Sequence, residues 1–141
     1  MRRHPNYLAD RVTFAVADAS GPAVSGQYDL VTILEGLHDI SRPVDALRVA
    51  RGMLRESGCV IVADELVEDV FTAPASLEEQ YHYGWSVVAC LPAVMGDPDT
   101  AATGAVMRPA TLRRYALEAG FRDLQVLPVK ADLLRFYRLT P

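Results

Sequence analysis

The chain has 141 residues, enough for one domain of ordinary size with a buried core. Half of the residues are hydrophobic and 23% are charged, a globular composition that excludes disordered and low-complexity chains. Fourteen basic and 18 acidic residues give a formal net charge of −4, a balance that does not favour binding to nucleic acid or to anionic membranes.

The sequence carries no sign of export or of a membrane anchor. No stretch approaches the roughly 18 uninterrupted apolar residues of a transmembrane helix, and no apolar region follows the basic N-terminus as in a signal peptide. The cysteines, Cys59 and Cys90, lie in apolar stretches typical of buried thiols in a reducing compartment. Three histidines and two cysteines are too scattered to predict a metal site. We therefore expect a cytoplasmic single domain spanning residues 1–141.

The first half of the chain predicts a β-α-β unit preceded by another strand. Residues 12–17 are β-branched and apolar, and Tyr28–Leu34 is a nearly continuous apolar run of the kind found in buried parallel strands. Ser41 and Pro43 are typical of a helix start, and the helical spacing ends at Ser57-Gly58. Residues 59–63 form the next apolar strand.

The second half predicts two helices and a hairpin. The first helix starts at Pro74 or Ser76 and ends or kinks at Pro92. A loop covers residues 95–106, and a second helix runs from Pro109 to Gly120. Residues 124–129 and 133–139 are expected to pair as antiparallel strands. The predicted fold class is α/β: a mostly parallel sheet with a C-terminal antiparallel hairpin, and helices packed on the sheet.

Polar clusters follow the three predicted strands of the first half. They are Asp18-Ala19-Ser20, residues 35–39 (Glu-Gly-Leu-His-Asp) and Asp64-Glu65. Because open α/β sheets bind ligands at the carboxyl ends of their strands, the clusters predict one shared crevice. The alternative is that these acidic groups only cap helices or solvate loops.

Histidine and aromatic residues supply further candidates for the site. His38 is the best candidate for proton transfer because its ordinary pKa lies nearest to neutrality; the alternative is that it orients Asp39 or a backbone carbonyl. Tyr81 and Trp85 belong to an apolar stripe with Leu77, Val88 and Leu91. They either wall a substrate pocket or belong to the core. The roles of their neighbours His82 and Tyr83 stay open.

Three segments resemble the class I S-adenosylmethionine-dependent methyltransferases. Residues 28–39 resemble that family's fourth strand, residues 54–64 are similar to its glycine turn and fifth strand, and residues 111–121 resemble its late helix ending in Ala-Gly-Phe. The segment 71–109 looks like an actinobacterial subgroup in which a winged-helix domain precedes the methyltransferase domain. The resemblance covers about residues 12–139.

The resemblance implies a role for each residue of the polar clusters. Asp18 and Ala19 match the positions that contact the adenine of S-adenosylmethionine. Glu35, Gly36 and His38 match positions beside its methionine end. Asp64 and Glu65 match the substrate-side end of the family's fifth strand, so Asp64 would contact a small-molecule acceptor. Tyr81 and Trp85 are candidates for the same contact through their aromatic rings, independently of the resemblance. The base that takes the acceptor's proton would be His38, Asp39 or Glu65.

The family's first two strands and its glycine-rich turn have no counterpart here, so the resemblance implies a truncated catalytic domain. Residues 12–17 then lack an obvious neighbour, and the strand at 28–34 has an open apolar edge that invites pairing with another chain, for example in a homodimer. Two functions follow: methyl transfer to a small molecule by the intact protein, or a methyltransferase remnant that acts in self-association or partner binding.

Overall fold

The computed structural model describes residues 11–22 and 25–141. The basic N-terminus, residues 1–10, lies outside them. The described residues form four strands and four α-helices, and a π-helical turn, Ser86–Cys90, joins the second helix to the third. In chain order the elements are β1 (Tyr28–Leu34), α1 (Pro43–Gly52), β2 (Leu54–Glu65), α2 (Leu77–Trp85), α3 (Leu91–Val94), α4 (Pro109–Glu118), β3 (Asp123–Val126) and β4 (Leu134–Thr140).

One sheet contains all four strands in the order β1-β2-β4-β3. β1 and β2 are parallel, with Leu34 opposite Ala63, and β4 is antiparallel to both β2 and β3. The α/β class, the partial sheet and the C-terminal hairpin are therefore confirmed. The sheet is less parallel than predicted, because only one of the three strand pairings among the described residues is parallel.

Residues 12–17 do not form the predicted strand. In the described part of the chain β1 pairs with β2 alone, and the side chains of Phe14 and Val16 are 93% and 106% exposed. A strand needs a neighbour to satisfy its backbone N–H and C=O groups, and residues 12–17 have none here. Consistent with an open edge, Leu30 and Leu34 on β1 are more than half exposed.

α1 ends earlier than the sequence predicts. It stops at Gly52, and the next residue, Met53, caps it by donating its backbone N–H to the carbonyl groups of Ala50 and Val49. β2 then begins at Leu54, so Gly58 is not a helix end but lies within a strand. A Cβ at Gly58 would stand 2.9 Å from the Tyr28 carbonyl oxygen. Glycine is thus required for close approach of the backbones where the β1–β2 register shifts.

α2 buries the face opposite to the one expected. Ser76 caps it by accepting the Glu79 N–H at 3.2 Å, as predicted. The stripe formed by Leu77, Tyr81, Trp85 and Val88, however, is 50–79% exposed. The buried side chains are Glu79, His82 and Ser86. The interpretation of this stripe as core is therefore wrong.

The polar face of α2 is buried because its partners are polar. Glu79 pairs with Arg108 at 2.6 Å, and Ser86 Oγ accepts the Ala105 N–H at 3.2 Å. Pro92 does not end the helical path. The Leu91 N–H reaches back five residues to Ser86, and this widened turn leads into α3, where proline occupies the first turn.

The end of the chain follows the sequence closely. α4 buries Leu112, Tyr115 and Ala116, and Gly120 follows it with φ +92°. The Phe121 N–H then bonds the Ala116 carbonyl at 3.0 Å. α1 and α4 pack together on the sheet and enclose one core, whose fully buried members include Leu37, Leu47, Val60, Val62, Leu112, Tyr137 and Leu139.

Candidate functional site

The parallel pairing of β1 and β2 brings two of the three polar clusters together. Since Leu34 stands opposite Ala63, Glu35 follows β1 at the edge where Asp64 and Glu65 end β2. The Glu35 N–H continues the pairing by donating to the Ala63 carbonyl at 2.8 Å. Glu35 then adopts φ +48°, a left-handed conformation that turns the chain toward His38.

His38 is the centre of a buried cluster of charges. Its Nδ1 lies 2.6 Å from Asp64 Oδ1 and 3.0 Å from Glu65 Oε2. On the other side of the ring, Nε2 lies 3.3 Å from Asp39 Oδ1. His38 and Asp64 are buried, whereas Asp39 is 46% exposed. The cluster therefore extends from the interior to the surface.

The carboxylates keep His38 protonated. Burial alone lowers its pKa, but hydrogen bonds to Asp64 and Glu65 and their charges outweigh burial and raise the pKa to about 11. Burial raises the pKa of Asp64, although His38 opposes the shift. Burial also acts to raise the pKa of Glu65, but its bonds to His38 and Asp64 lower it on balance. A protonated imidazole between carboxylates orients its neighbours and is not poised to accept a proton.

A cavity of about 210 Å³ opens beside this cluster. We call it the Glu65 cavity; its lining residues are Glu35, Glu65, Tyr81, His82, Trp85 and Leu133. A neighbouring cavity of about 270 Å³ shares His82 and Leu133 with it. The structure thus brings together four of the residues that the sequence singled out, on β1, β2 and α2.

Asp18 and Ala19 line a different cleft. This Asp18 cleft has a volume of about 580 Å³ and also includes Ile40, Arg42 and Pro98. The Asp18 carboxylate accepts the Ser20 N–H at 2.8 Å and pairs with Arg42 at 3.1 Å. None of the residues that line the Asp18 cleft lines the Glu65 cavity. The single crevice expected from three strand ends is therefore divided into two.

No role was predicted for three groups near the His38 cluster and the Glu65 cavity. His82 is 4% exposed, and its Nε2 has no hydrogen-bond partner among the described residues. Glu79 pairs with Arg108, which also donates to Tyr83 Oη at 3.1 Å. Cys90 lies beside His38 and Asp39. A polar stripe at helical spacing, positions 79, 82 and 86, is the signal that could have revealed the buried face of α2.

Three of the solved structures similar to this chain are described as methyltransferases. The SAH-bound structure of CalO1, a methyltransferase in calicheamicin biosynthesis, superposes with a TM-score of 0.69 at 19% identity over 99% of this chain and 37% of that chain. Mitomycin 7-O-methyltransferase MmcR matches with a TM-score of 0.64, 19% identity, and 95% and 35% coverage. A proposed O-methyltransferase from Nostoc punctiforme superposes with a TM-score of 0.65 at 19% identity, over 94% of this chain and 37% of that chain.

These likenesses identify the fold. The chain has part of the class I S-adenosylmethionine-dependent methyltransferase fold, as the sequence motifs predicted, and spans little more than a third of the length of these three structures. No family model and no curated protein matches the sequence. Among the described residues, no helix combines the length and apolar character needed to cross a membrane.

Proposed function

We propose that this chain takes part in S-adenosylmethionine-dependent methyl transfer to a small-molecule acceptor. The observation that carries the proposal is the Glu65 cavity, which joins acidic and aromatic side chains at the carboxyl ends of two parallel strands. Tyr81 and Trp85 offer aromatic surface, and Glu65 and His82 offer polar groups that fix an acceptor's orientation.

The carboxylates of Asp18, in the Asp18 cleft, and of Glu35 suit some of the chemical groups of the cofactor. S-adenosylmethionine presents an adenine amino group, an ammonium group, a sulfonium and a carboxylate. The Asp18 carboxylate could accept from the adenine amino group, and Glu35 carries the charge that suits the cationic groups. Charged side chains in residues 35–39 are acidic apart from His38, so these residues match the cationic and donor parts and not the carboxylate.

When bound, the cofactor would supply an electrophilic methyl group for in-line transfer to the acceptor. The chain's own residues would position the acceptor and receive its proton. His38 holds Asp64 and Glu65 in place through Nδ1, which makes it a positioning residue. His82 lines the same cavity as Glu65, and its buried Nε2 has no hydrogen-bond partner among the described residues, so these two side chains are our candidates for the proton acceptor.

Calorimetric titration of the full chain with S-adenosylhomocysteine tests the proposal. We expect micromolar binding, weakened at least about tenfold by Asp18→Asn, since one charge-assisted hydrogen bond is worth about 1.5–3 kcal/mol. Asp123→Asn is the control, because Asp123 is exposed and lies on β3, outside the Asp18 cleft. Absence of binding by a folded chain, or equal weakening by both variants, would contradict the proposal.

A second candidate function, self-association, rests on a separate observation. Leu77 on α2 and Val88 in the following π-helical turn are 79% and 72% exposed, and β1 presents an open edge in the described part of the chain. Apolar surface of this kind is typical of interfaces, and a second copy of the chain would cover it. Sedimentation velocity at micromolar concentration should show a dimer that Leu77→Ser combined with Val88→Ser dissociates. Leu117→Ser, an equivalent change on the exposed side of α4, should leave the dimer intact.

A further inference from the structure

We propose that His38, Asp39 and Cys90 form a binding site for a zinc-like divalent cation. The donor atoms are an imidazole nitrogen, a carboxylate oxygen and a thiol sulfur, and each lies within 4.8 Å of the other two. The three residues come from two separate segments, the loop after β1 and the end of the π-helical turn. The fold itself therefore brings them together, which their spacing in the sequence does not predict.

The spacing of the donor atoms suits a tetrahedral ion. Zinc–ligand bonds of about 2.0–2.3 Å separate neighbouring ligand atoms by roughly 3.3–3.7 Å in a tetrahedron. His38 Nε2 and Asp39 Oδ1 are 3.3 Å apart, which lies within that range. Cys90 Sγ lies within 4.8 Å of the ligand atoms of His38 and Asp39, so the thiol would have to move only slightly closer to bind the same ion.

The far side of the His38 ring has the arrangement that supports metal-binding histidines. Such histidines donate their second N–H to a carboxylate, which fixes the ring and makes the free nitrogen a better ligand. Nδ1 of His38 faces Asp64 at 2.6 Å and Glu65 at 3.0 Å, so Nε2 is directed at Asp39 and Cys90. The ion would replace the proton on Nε2, and the Asp64 and Glu65 charges would stabilise the bound cation as they stabilise the protonated ring.

The donor set indicates which cations would bind. One sulfur, one nitrogen and one carboxylate oxygen match zinc or cobalt(II), whereas Mg²⁺ and Ca²⁺ prefer oxygen ligands alone. Asp39 is 46% exposed, which provides an entry route and room for water as the fourth ligand. An ion here would fasten the end of the π-helical turn to the loop after β1 and so help to keep Tyr81 and Trp85 beside the Glu65 cavity.

Cobalt(II) titration of the full chain tests this site, because a cobalt–thiolate bond produces a near-ultraviolet charge-transfer band. We expect one equivalent of Co²⁺ to produce the band, and Zn²⁺ to abolish it. Cys90→Ser should eliminate the band, and Cys59→Ser, a matched change at the other free cysteine, should retain it. Asp39→Asn, at a half-exposed position where folding is not at risk, should weaken Zn²⁺ binding at least about tenfold.

Three results would overturn the site: no charge-transfer band in the wild-type chain, a band that survives Cys90→Ser, or a band lost in Cys59→Ser. If Cys90→Ser does not fold, an unchanged Zn²⁺ affinity of Asp39→Asn would overturn it as well. The measurement uses neither S-adenosylmethionine nor an acceptor, so its outcome is independent of the proposed methyl transfer.

Discussion

Asp64 Oδ1 lies 2.6 Å from His38 Nδ1 with both side chains almost completely buried, and this contact ties the end of β2 to the loop after β1. Ion pairs of this kind are retained only when the geometry is good, since burying either charge alone costs several kcal/mol. Here Glu65 adds a second carboxylate at 3.0 Å from the same nitrogen. The positions and the protonation states of His38, Asp64 and Glu65 therefore depend on one another.

The unfolding free energy should fall as the pH rises above neutrality. The carboxylate partners of His38 raise its pKa from 6.5 to about 11. The contribution of His38 to the unfolding free energy is therefore complete below pH 6.5 and is lost as the pH approaches 11. The slope between about pH 7 and pH 9 should approach about 1.4 kcal/mol per pH unit. Urea denaturation at a series of pH values measures it. His38→Gln should flatten the slope, and an equally steep slope in that variant would assign it to other groups.

The same ion pair can be observed directly in the folded chain. Nitrogen-15 chemical shifts should report both ring nitrogens of His38 as protonated at about pH 8.5, because its pKa is raised to about 11. A neutral ring at that pH would refute the description of His38 as a charged positioning residue and would restore it as a candidate base.

His82→Gln should reduce methyl transfer without reducing cofactor affinity. His82 lines the cavity that Glu65 also lines and its buried Nε2 has no partner among the described residues, so the variant loses a candidate proton acceptor. General-base removal lowers kcat by about 10²–10⁴-fold. Single-turnover rates and S-adenosylhomocysteine titrations separate the two effects. Gln80→Ala, at an exposed neighbouring position on α2, serves as the control. Equal kcat values in the His82→Gln and Gln80→Ala variants would exclude His82 as the proton acceptor.

Glu79→Gln should destabilise the fold by about 3 kcal/mol. It leaves Arg108, which is 16% exposed, without its partner at 2.6 Å, and an unpaired buried charge is costly. Glu118→Gln breaks the exposed pair between Arg114 and Glu118 and should cost less than about 1 kcal/mol. Urea midpoints compare the two variants. Similar losses in both would mean that the Glu79 pair contributes no more than a surface pair.

Gly104→Ala should destabilise the chain where Gly52→Ala does not. Gly104 has φ +68°, and an added Cβ would stand 2.2 Å from Ser86 Oγ. Strain and the displaced Ser86 side chain should together cost about 1–3 kcal/mol. Gly52 ends α1 with no atom within 4 Å of an added Cβ, so alanine there should be neutral or stabilise by up to about 1 kcal/mol. Thermal unfolding of the two variants provides the comparison.

Local signals predicted the elements that depend on local chemistry. The apolar run of β1, the Ser76 cap of α2 and the Gly120 end of α4 all lie where the sequence indicates. Each is determined by a few adjacent residues, so a single sequence is enough to locate it. The strand ends that carry Glu35, His38, Asp64 and Glu65 also follow from the β-α-β pattern.

Features that depend on distant partners could not be read from the sequence. Residues 12–17 have strand composition but no neighbour with which to pair. The polar stripe at positions 79, 82 and 86 is visible in the sequence, but its burial depends on Arg108 and Ala105, and the sequence does not show that these two residues lie against it. Likewise, Asp18 has the expected acidic character, yet it lies in a separate cleft because Arg42 and Ser20 hold it there.

The π-helical turn makes the path from α2 to α3 one residue longer than a regular helix covering the same rise. Residues before and after Ser86–Cys90 are consequently rotated by about 100° relative to an uninterrupted helix. If the same sequence wound as a regular α-helix, Cys90 would be turned about 100° around the helix axis and away from His38. The widened turn therefore sets which side chain of this segment meets the loop after β1.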